Sequence, residues 1–121
     1  MSSRIFSRIS IFTLLLLITS AQIVCAQGTP ANTEELSFPI DFKDGHFNPQ
    51  NFEVPANKKV ILKVTNSSKE VIEFESFKLN RENPIEPGKT ATVYLTPLSP
   101  GSYDFYDDFH RDVPEGQIIA K

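Results

Sequence analysis

The sequence predicts a single all-β domain, an antiparallel β-sandwich that occupies residues 36–121. Apolar and polar residues alternate in about seven short segments spaced at roughly ten residues, which is typical of a sandwich. Turn-forming pairs separate several of these segments, at Asp44-Gly45, Pro87-Gly88 and Pro100-Gly101. No apolar stripe of helical period has a useful length, and ten Phe and three Tyr are enough to fill a core between two sheets.

The first half of the domain contains four predicted strands. In residues 36–42 every second residue is apolar, and Pro39 indicates an edge position because proline cannot donate to a ladder. A short strand at 52–54 stops at Pro55. The segments 60–65 and 71–76 alternate cleanly, and Asn66-Ser-Ser ends the first of them.

The second half contributes three more predicted strands. Residues 77–87 are polar and bounded by prolines, so we expect no regular element there. Strands follow at 91–95, 103–105 and 117–120, with Gly116 opening the last one.

The segment before the domain has the features of an export signal. Arg4 and Arg8 precede the apolar run 11–18, and Val24-Cys25-Ala26 predicts cleavage after Ala26. The run is far shorter than the ~18 residues that a spanning helix needs. The predicted organisation is a signal peptide at 1–26, a flexible leader at 27–35 and the domain at 36–121, in a protein that reaches the periplasm without membrane insertion.

A lipoprotein signal at Cys25 is the competing interpretation, although Val24 matches poorly the small residue that such a signal requires. Removal of the signal leaves 10 basic and 15 acidic residues, a net charge of −5, which disfavours nucleic acid and anionic membrane as partners. It also removes Met1 and Cys25, the only methionine and cysteine. The exported domain would therefore lack soft sulfur ligands and disulfides.

The segment Gly101-Ser-Tyr-Asp-Phe-Tyr-Asp-Asp-Phe-His110, followed by Gly116, resembles the metal-binding end of a cupredoxin. That family's last hairpin reads Gly-x-Tyr-x-Phe-Tyr-Cys, with a His three residues on. In this frame Asp107 stands in the Cys position and His110 in the His position. A thiolate makes the family's copper site blue and redox-active, so a carboxylate in its place implies different chemistry.

Four segments, the last of them within that hairpin, resemble a narrower branch, the small exported cupredoxin-like proteins that accompany bacterial iron-permease systems. They are Phe74-Glu-Ser76, Leu79-Asn-Arg-Glu82, Ile85-Glu-Pro-Gly88 and Asp107-Asp-Phe-His110. The resemblance implies a cupredoxin-like Greek-key β-sandwich and a periplasmic metal-binding accessory of ferrous iron uptake. An inner-membrane iron permease and its associated periplasmic components would be the partners.

The resemblance also implies a set of metal ligands. Glu75 appears in the position of the first cupredoxin ligand, so Glu75, Asp107 and His110 would meet at one end of the sandwich. Two carboxylates and one imidazole suit Fe, Mn or Zn and could hold Cu(II), so an Fe or Cu ion is expected and no organic cofactor. Carboxylates favour Fe(III) over Fe(II), which would at most assist iron oxidation.

Several neighbouring residues complete the expected site. Glu73, Asp108 and Glu115 are close enough in sequence to add oxygen ligands. Arg81 is expected to hold acidic side chains at this end by bidentate pairing, and His46 is expected to be exposed in a turn. No conventional catalytic motif is present. The alternative from a different class is a metal-free β-sandwich that serves as a binding or structural module with a decayed site.

Overall fold

The computed structural model describes residues 35–121, so the predicted signal peptide and nearly all of the predicted leader lie outside the described residues. This part of the chain contains nine β-strands and no helix: β1 (Leu36–Lys43), β2 (His46–Asn48), β3 (Asn51–Val54), β4 (Val60–Asn66), β5 (Ile72–Ser76), β6 (Arg81–Ile85), β7 (Thr90–Leu95), β8 (Gly101–Asp107) and β9 (Gly116–Ala120). Consequently, within residues 35–121, no apolar helix of membrane-spanning length occurs.

The strands form two sheets, which confirms the predicted sandwich. The four-stranded sheet has the order β2-β1-β4-β7, and the five-stranded sheet has the order β3-β9-β8-β5-β6. Most neighbours are antiparallel, but β1 pairs with β4 and β3 pairs with β9 in parallel. Pro39 is tolerated because it lies in the first half of β1, which has β4 as its single neighbour. β2 pairs with β1 only from Asp41 onward.

Aromatic side chains fill the space between the sheets, as the composition predicted. The ring of Phe105 is completely buried and lies 5.1 Å from that of Phe47 and 5.3 Å from that of Phe74, centroid to centroid. Phe42 packs edge-on against Phe47 at 4.8 Å. These rings tie β1 and β2 of one sheet to β5 and β8 of the other, so both sheets share one core.

The stretch that was expected to be irregular contains β6, which corrects the prediction for residues 77–87. Pairing with β5 places Asn83 opposite Phe74 and Pro84 opposite Glu73. Because β6 is the edge strand of its sheet, Pro84 is tolerated there. Ile85 is buried, so the strand is held by pairing and burial that its polar local sequence does not indicate.

Candidate metal centre

Asp107 ends β8 as a fully buried carboxylate. Strand register explains the burial: Asp107 pairs with Phe74, and side chains that are directly opposite share one face of the sheet. Its Oδ1 accepts hydrogen bonds from the backbone N–H of Glu73 at 2.8 Å and of Phe109 at 3.2 Å. The buried charge is therefore compensated by donors from β5 and from the loop after β8.

His110 lies against Asp107, as the sequence predicted. Its Nδ1 is 2.6 Å from Asp107 Oδ2, and its Nε2 is 3.0 Å from Glu70 Oε2. The hydrogen bond to Asp107 raises the pKa of His110 above 6.5, against the opposing effect of burial, and the charges of Asp107 and Glu70 act in the same direction as the bond. A protonated imidazole can donate to both carboxylates at once.

Glu75, the third predicted ligand, lies on the other face of the sheet. It pairs with Tyr106, one residue before Asp107, and its Oε1 accepts a hydrogen bond from the Tyr106 hydroxyl at 3.1 Å. Because successive side chains of a strand point to opposite faces, Glu75 and Asp107 face away from each other. The structure thus brings together two members of the predicted trio and separates the third.

Glu75 belongs instead to a carboxylate group on the outer face. Oxygen atoms of Glu73, Glu75 and Asp108 all lie within 4.8 Å of one another. Burial, and then the charges of Asp108 and Glu75, raise the pKa of Glu73. Glu115, also considered a candidate oxygen ligand, lies 3.5 Å from the guanidinium of Arg111. Three carboxylates at this spacing repel one another, and a cation between them would relieve the repulsion.

The backbone of Glu73 connects the two groups. Its N–H binds Asp107, and its carbonyl accepts from the N–H of Asp108 at 3.1 Å. The inner pair Asp107–His110 and the outer carboxylates therefore lie back to back at the end of β8. This end of the sandwich offers carboxylate oxygens on both faces of one sheet and an imidazole beside the inner carboxylate.

Glu70 is the site residue that sequence analysis missed. It belongs to the loop between β4 and β5, and the buried side-chain amide of Asn66 shapes this loop by donating to the carbonyls of Glu70 at 2.7 Å and Ile85 at 2.8 Å. A lone glutamate in a polar loop carries no signal of its own.

The expectation for Arg81 is wrong, and that for His46 is confirmed for its exposure but not for its place in a turn, because His46 begins β2. Arg81 donates from Nε and Nη2 to the carbonyl of Tyr94, at 3.1 and 2.9 Å, and from Nη1 to the carbonyl of Asn80. It starts β6 opposite Ser76, and among the described residues it forms no ion pair with a carboxylate. His46 is exposed, and its Nδ1 lies 2.7 Å from the carbonyl oxygen of Asp44.

Comparison with known proteins identifies the class. Residues 8–120 match the cupredoxin-like domain, so the chain belongs to the cupredoxin-like domain family. An uncharacterized protein of Rickettsia prowazekii (strain Madrid E) is 38% identical over 89 residues, which cover 74% of this chain and 71% of that protein.

Solved structures share the fold at low sequence identity. The metal-binding domain of the Cu(I)-exporting P-type ATPase CopA of Streptococcus pneumoniae D39, solved with Cu(I), gives a TM-score of 0.61 at 13% identity, covering 70% of this chain and 84% of that one. Auracyanin of Roseiflexus castenholzii gives a TM-score of 0.58 at 15% identity, covering 72% of this chain and 98% of that one. A purple cupredoxin of Nitrosopumilus maritimus gives a TM-score of 0.52 at 19% identity, covering 69% of this chain and 98% of that one.

A thiolate copper centre of the kind that the family implies does not fit the residues of this domain. Residues 35–121 contain neither cysteine nor methionine. At the end of β8 the side chain is the carboxylate of Asp107, whose two oxygens already accept from backbone N–H groups and from His110. The donor set is oxygen and imidazole, which selects for harder ions than thiolate and thioether do.

Proposed function

We propose that this protein is an exported accessory of ferrous iron import that binds iron as its cargo at the end of β8 and forms no blue copper centre. The contact between the Asp107 carboxylate and the His110 imidazole, 2.6 Å apart, carries the proposal. It supplies an oxygen and a nitrogen ligand side by side at a loop end of the sandwich. Carboxylate and imidazole together suit Fe better than Cu(I).

Binding at this pair requires that the ion replace a proton. The hydrogen between Asp107 Oδ2 and His110 Nδ1 occupies the space between the two ligand atoms. Metal affinity at such a site rises with pH, because each ion that binds releases a proton. The outer carboxylates of Glu73, Glu75 and Asp108 lie behind this pair and supply negative charge that attracts cations.

Export and the link to iron import rest on the sequence. The positively charged N-terminus, the short apolar run and the Val24-Cys25-Ala26 segment support secretion to the periplasm. The resemblance to exported cupredoxin-like proteins beside iron permeases supports a permease and its periplasmic components as partners. Carboxylate ligands would stabilise bound iron as Fe(III). The protein would then either deliver iron to the permease or assist the oxidation of iron before the permease imports it.

A metal-free binding or structural module is the second candidate, and one observation favours it. Both oxygens of Asp107 and both nitrogens of His110 have partners within the protein. The partner of His110 Nε2 is the carboxylate of Glu70. The hydrogen bonds of the Asp107–His110 pair are therefore satisfied without an ion. If the domain is metal-free, this pair takes the place of a metal in linking β8 to its neighbours.

Metal titration of the purified protein separates the two candidates. We expect Fe(II), titrated without oxygen and followed by calorimetry, to bind the unaltered protein, and His110→Gln to weaken binding at least ~10-fold, the low end of the effect of losing support at a metal site. Asp107→Asn should weaken it similarly, and the exposed His46→Gln provides a matched control that should retain affinity. Circular dichroism verifies the fold of each variant.

Three outcomes would contradict the proposal. No binding of Fe(II) to any of the four proteins would assign the domain to the metal-free class, and equal affinity in all four would exclude Asp107 and His110 as the ligands. Loss of binding in Glu73→Gln/Glu75→Gln but not in His110→Gln would move the ion to the outer face, away from the Asp107–His110 pair.

A further inference from the structure

A cleft lies at the end of the sandwich opposite the candidate metal centre. It has a volume of about 1040 Å³ and lies between the start of β4 and the end of β7, where Val60 pairs with Leu95. The other end of β4 is Asn66, which binds the loop that carries Glu70. Because β4 spans about 20 Å at the rise of a strand, this cleft cannot share ligands with His110.

Three cationic side chains line this distal cleft: Lys58, Lys59 and Arg81. Among the described residues none of them lies within 4.0 Å of a carboxylate, in a chain with 15 acidic and 12 basic residues. Glu35 is the one acidic residue that the described part of the chain contributes to the lining. The cleft is therefore a positive region on an acidic protein, and it favours anionic ligands.

Arg81 is held in a fixed orientation by backbone groups alone. Its Nε and Nη2 donate to the carbonyl of Tyr94, and its Nη1 donates to the carbonyl of Asn80 at 2.8 Å. A guanidinium has five N–H donors, so two remain after these three bonds. An arginine that is anchored in this way loses little side-chain entropy when it binds a carboxylate.

The same cleft offers apolar surface to a ligand. Tyr94 supplies this surface, because the residue is 64% exposed, whereas Ile61 and Leu95 in the same lining are buried. Exposed tyrosine beside arginine is a combination found at binding sites, because a flat ring supplies contact area at low conformational cost. Cations and a flat apolar surface together match a ligand that carries carboxylates on a planar body.

We propose that the distal cleft binds a small organic anion that carries two or more carboxylates on a planar apolar core. Arg81, Lys58 and Lys59 bind the carboxylates, and the ring of Tyr94 covers the apolar core. This site is independent of the iron proposal, because it uses neither face of the sheet at the end of β8.

Trimesate, a benzene ring that carries three carboxylates, is the probe for calorimetric titration. We expect trimesate to bind the unaltered protein, and Lys58→Gln/Lys59→Gln to weaken binding about 10-fold or more, the size of one charge-assisted hydrogen bond. Lys69→Gln/Lys89→Gln removes the same charge outside the cleft and should leave affinity within about twofold, since it changes only screened long-range attraction. Citrate, which has the carboxylates without the ring, should bind more weakly than trimesate.

The outcomes that overturn the proposal are distinct. No binding of trimesate at millimolar concentration, or equal loss in the two double variants, would leave only a diffuse positive surface. Equal affinity for citrate and trimesate, or for Tyr94→Ala and the unaltered protein, would remove the planar core from the assignment. Iron binding by Lys58→Gln/Lys59→Gln should be unchanged, which separates this test from that of the metal centre.

Discussion

Asp107 buries its carboxylate completely and leaves neither oxygen without a partner. Two of the donors are backbone N–H groups, of Glu73 and Phe109, and these groups remain in place if the side chain is removed. The third donor, His110, is partly exposed and can turn toward solvent. The cost of a substitution therefore depends on whether the new side chain retains an acceptor for the backbone groups.

Asp107→Ala should destabilise the domain by about 3–5 kcal/mol, the usual effect of removing one partner of a buried charge pair. Asp107→Asn keeps one oxygen for the two backbone donors and should cost less, about 1–3 kcal/mol. Urea unfolding in the presence of a chelator measures the free energy of unfolding of both variants. Equal losses would mean that the backbone donors find other acceptors.

His110 should make stability depend on pH. Its pKa is raised in the folded state above the ordinary 6.5, chiefly by the hydrogen bond to Asp107. Its contribution is therefore complete below about pH 6.5 and is lost as pH rises through the folded-state pKa. Unfolding measured with a chelator from acid to alkaline pH should show this loss, and the loss should be absent in His110→Gln. If His110→Gln lost as much stability with rising pH as the unaltered protein, the pH dependence would belong to another titratable group.

The backbone at the start of β9 packs closely against the core. Gly116 pairs with Phe105 in the ladder between β8 and β9. A Cβ at Gly116 would lie 2.2 Å from Cζ of Phe105 and 2.6 Å from the carbonyl oxygen of Gln50. Phe105 is completely buried among other rings and cannot move aside without disturbing them.

Gly116→Ala should therefore destabilise the domain by about 1–3 kcal/mol, as overpacking of a core does. Gly88→Ala provides the comparison, because Gly88 has open space around a Cβ but a φ of +72°. Its cost should be about 1 kcal/mol, from backbone conformation alone. Thermal unfolding compares the two, and a smaller effect at Gly116 would show that β9 can shift away from Phe105.

The domain as a whole is free of sulfur, so no thiolate or thioether can bind a metal within residues 35–121. The only cysteine and methionine of the chain are Cys25 and Met1, both before the described residues. Cu(II) added to the protein should give only the weak absorption of carboxylate and imidazole ligation. Asp107→Cys should add a thiolate charge-transfer band, and an intense band in the unaltered protein would contradict this assignment of ligands.

Local pattern was enough to predict most of the sandwich. The alternation in residues 60–65 corresponds to β4, Val60–Asn66, and Asp44-Gly45 forms the turn between β1 and β2, with φ of +51° and +74°. Such features are encoded in consecutive residues, through period-two burial and turn chemistry. β6 escaped prediction because its polar sequence becomes a strand only through its pairing with β5.

The candidate site divides in the same way. The contact between Asp107 and His110 spans three residues, and the resemblance of residues 101–110 to a cupredoxin hairpin was enough to predict it. The face on which Glu75 lies, and the approach of Glu70 to His110, were decided by tertiary structure. A shift of one residue in the pairing of β5 with β8 would turn Glu75 to the other face, and that register is determined by the packing of the core rather than by either segment alone.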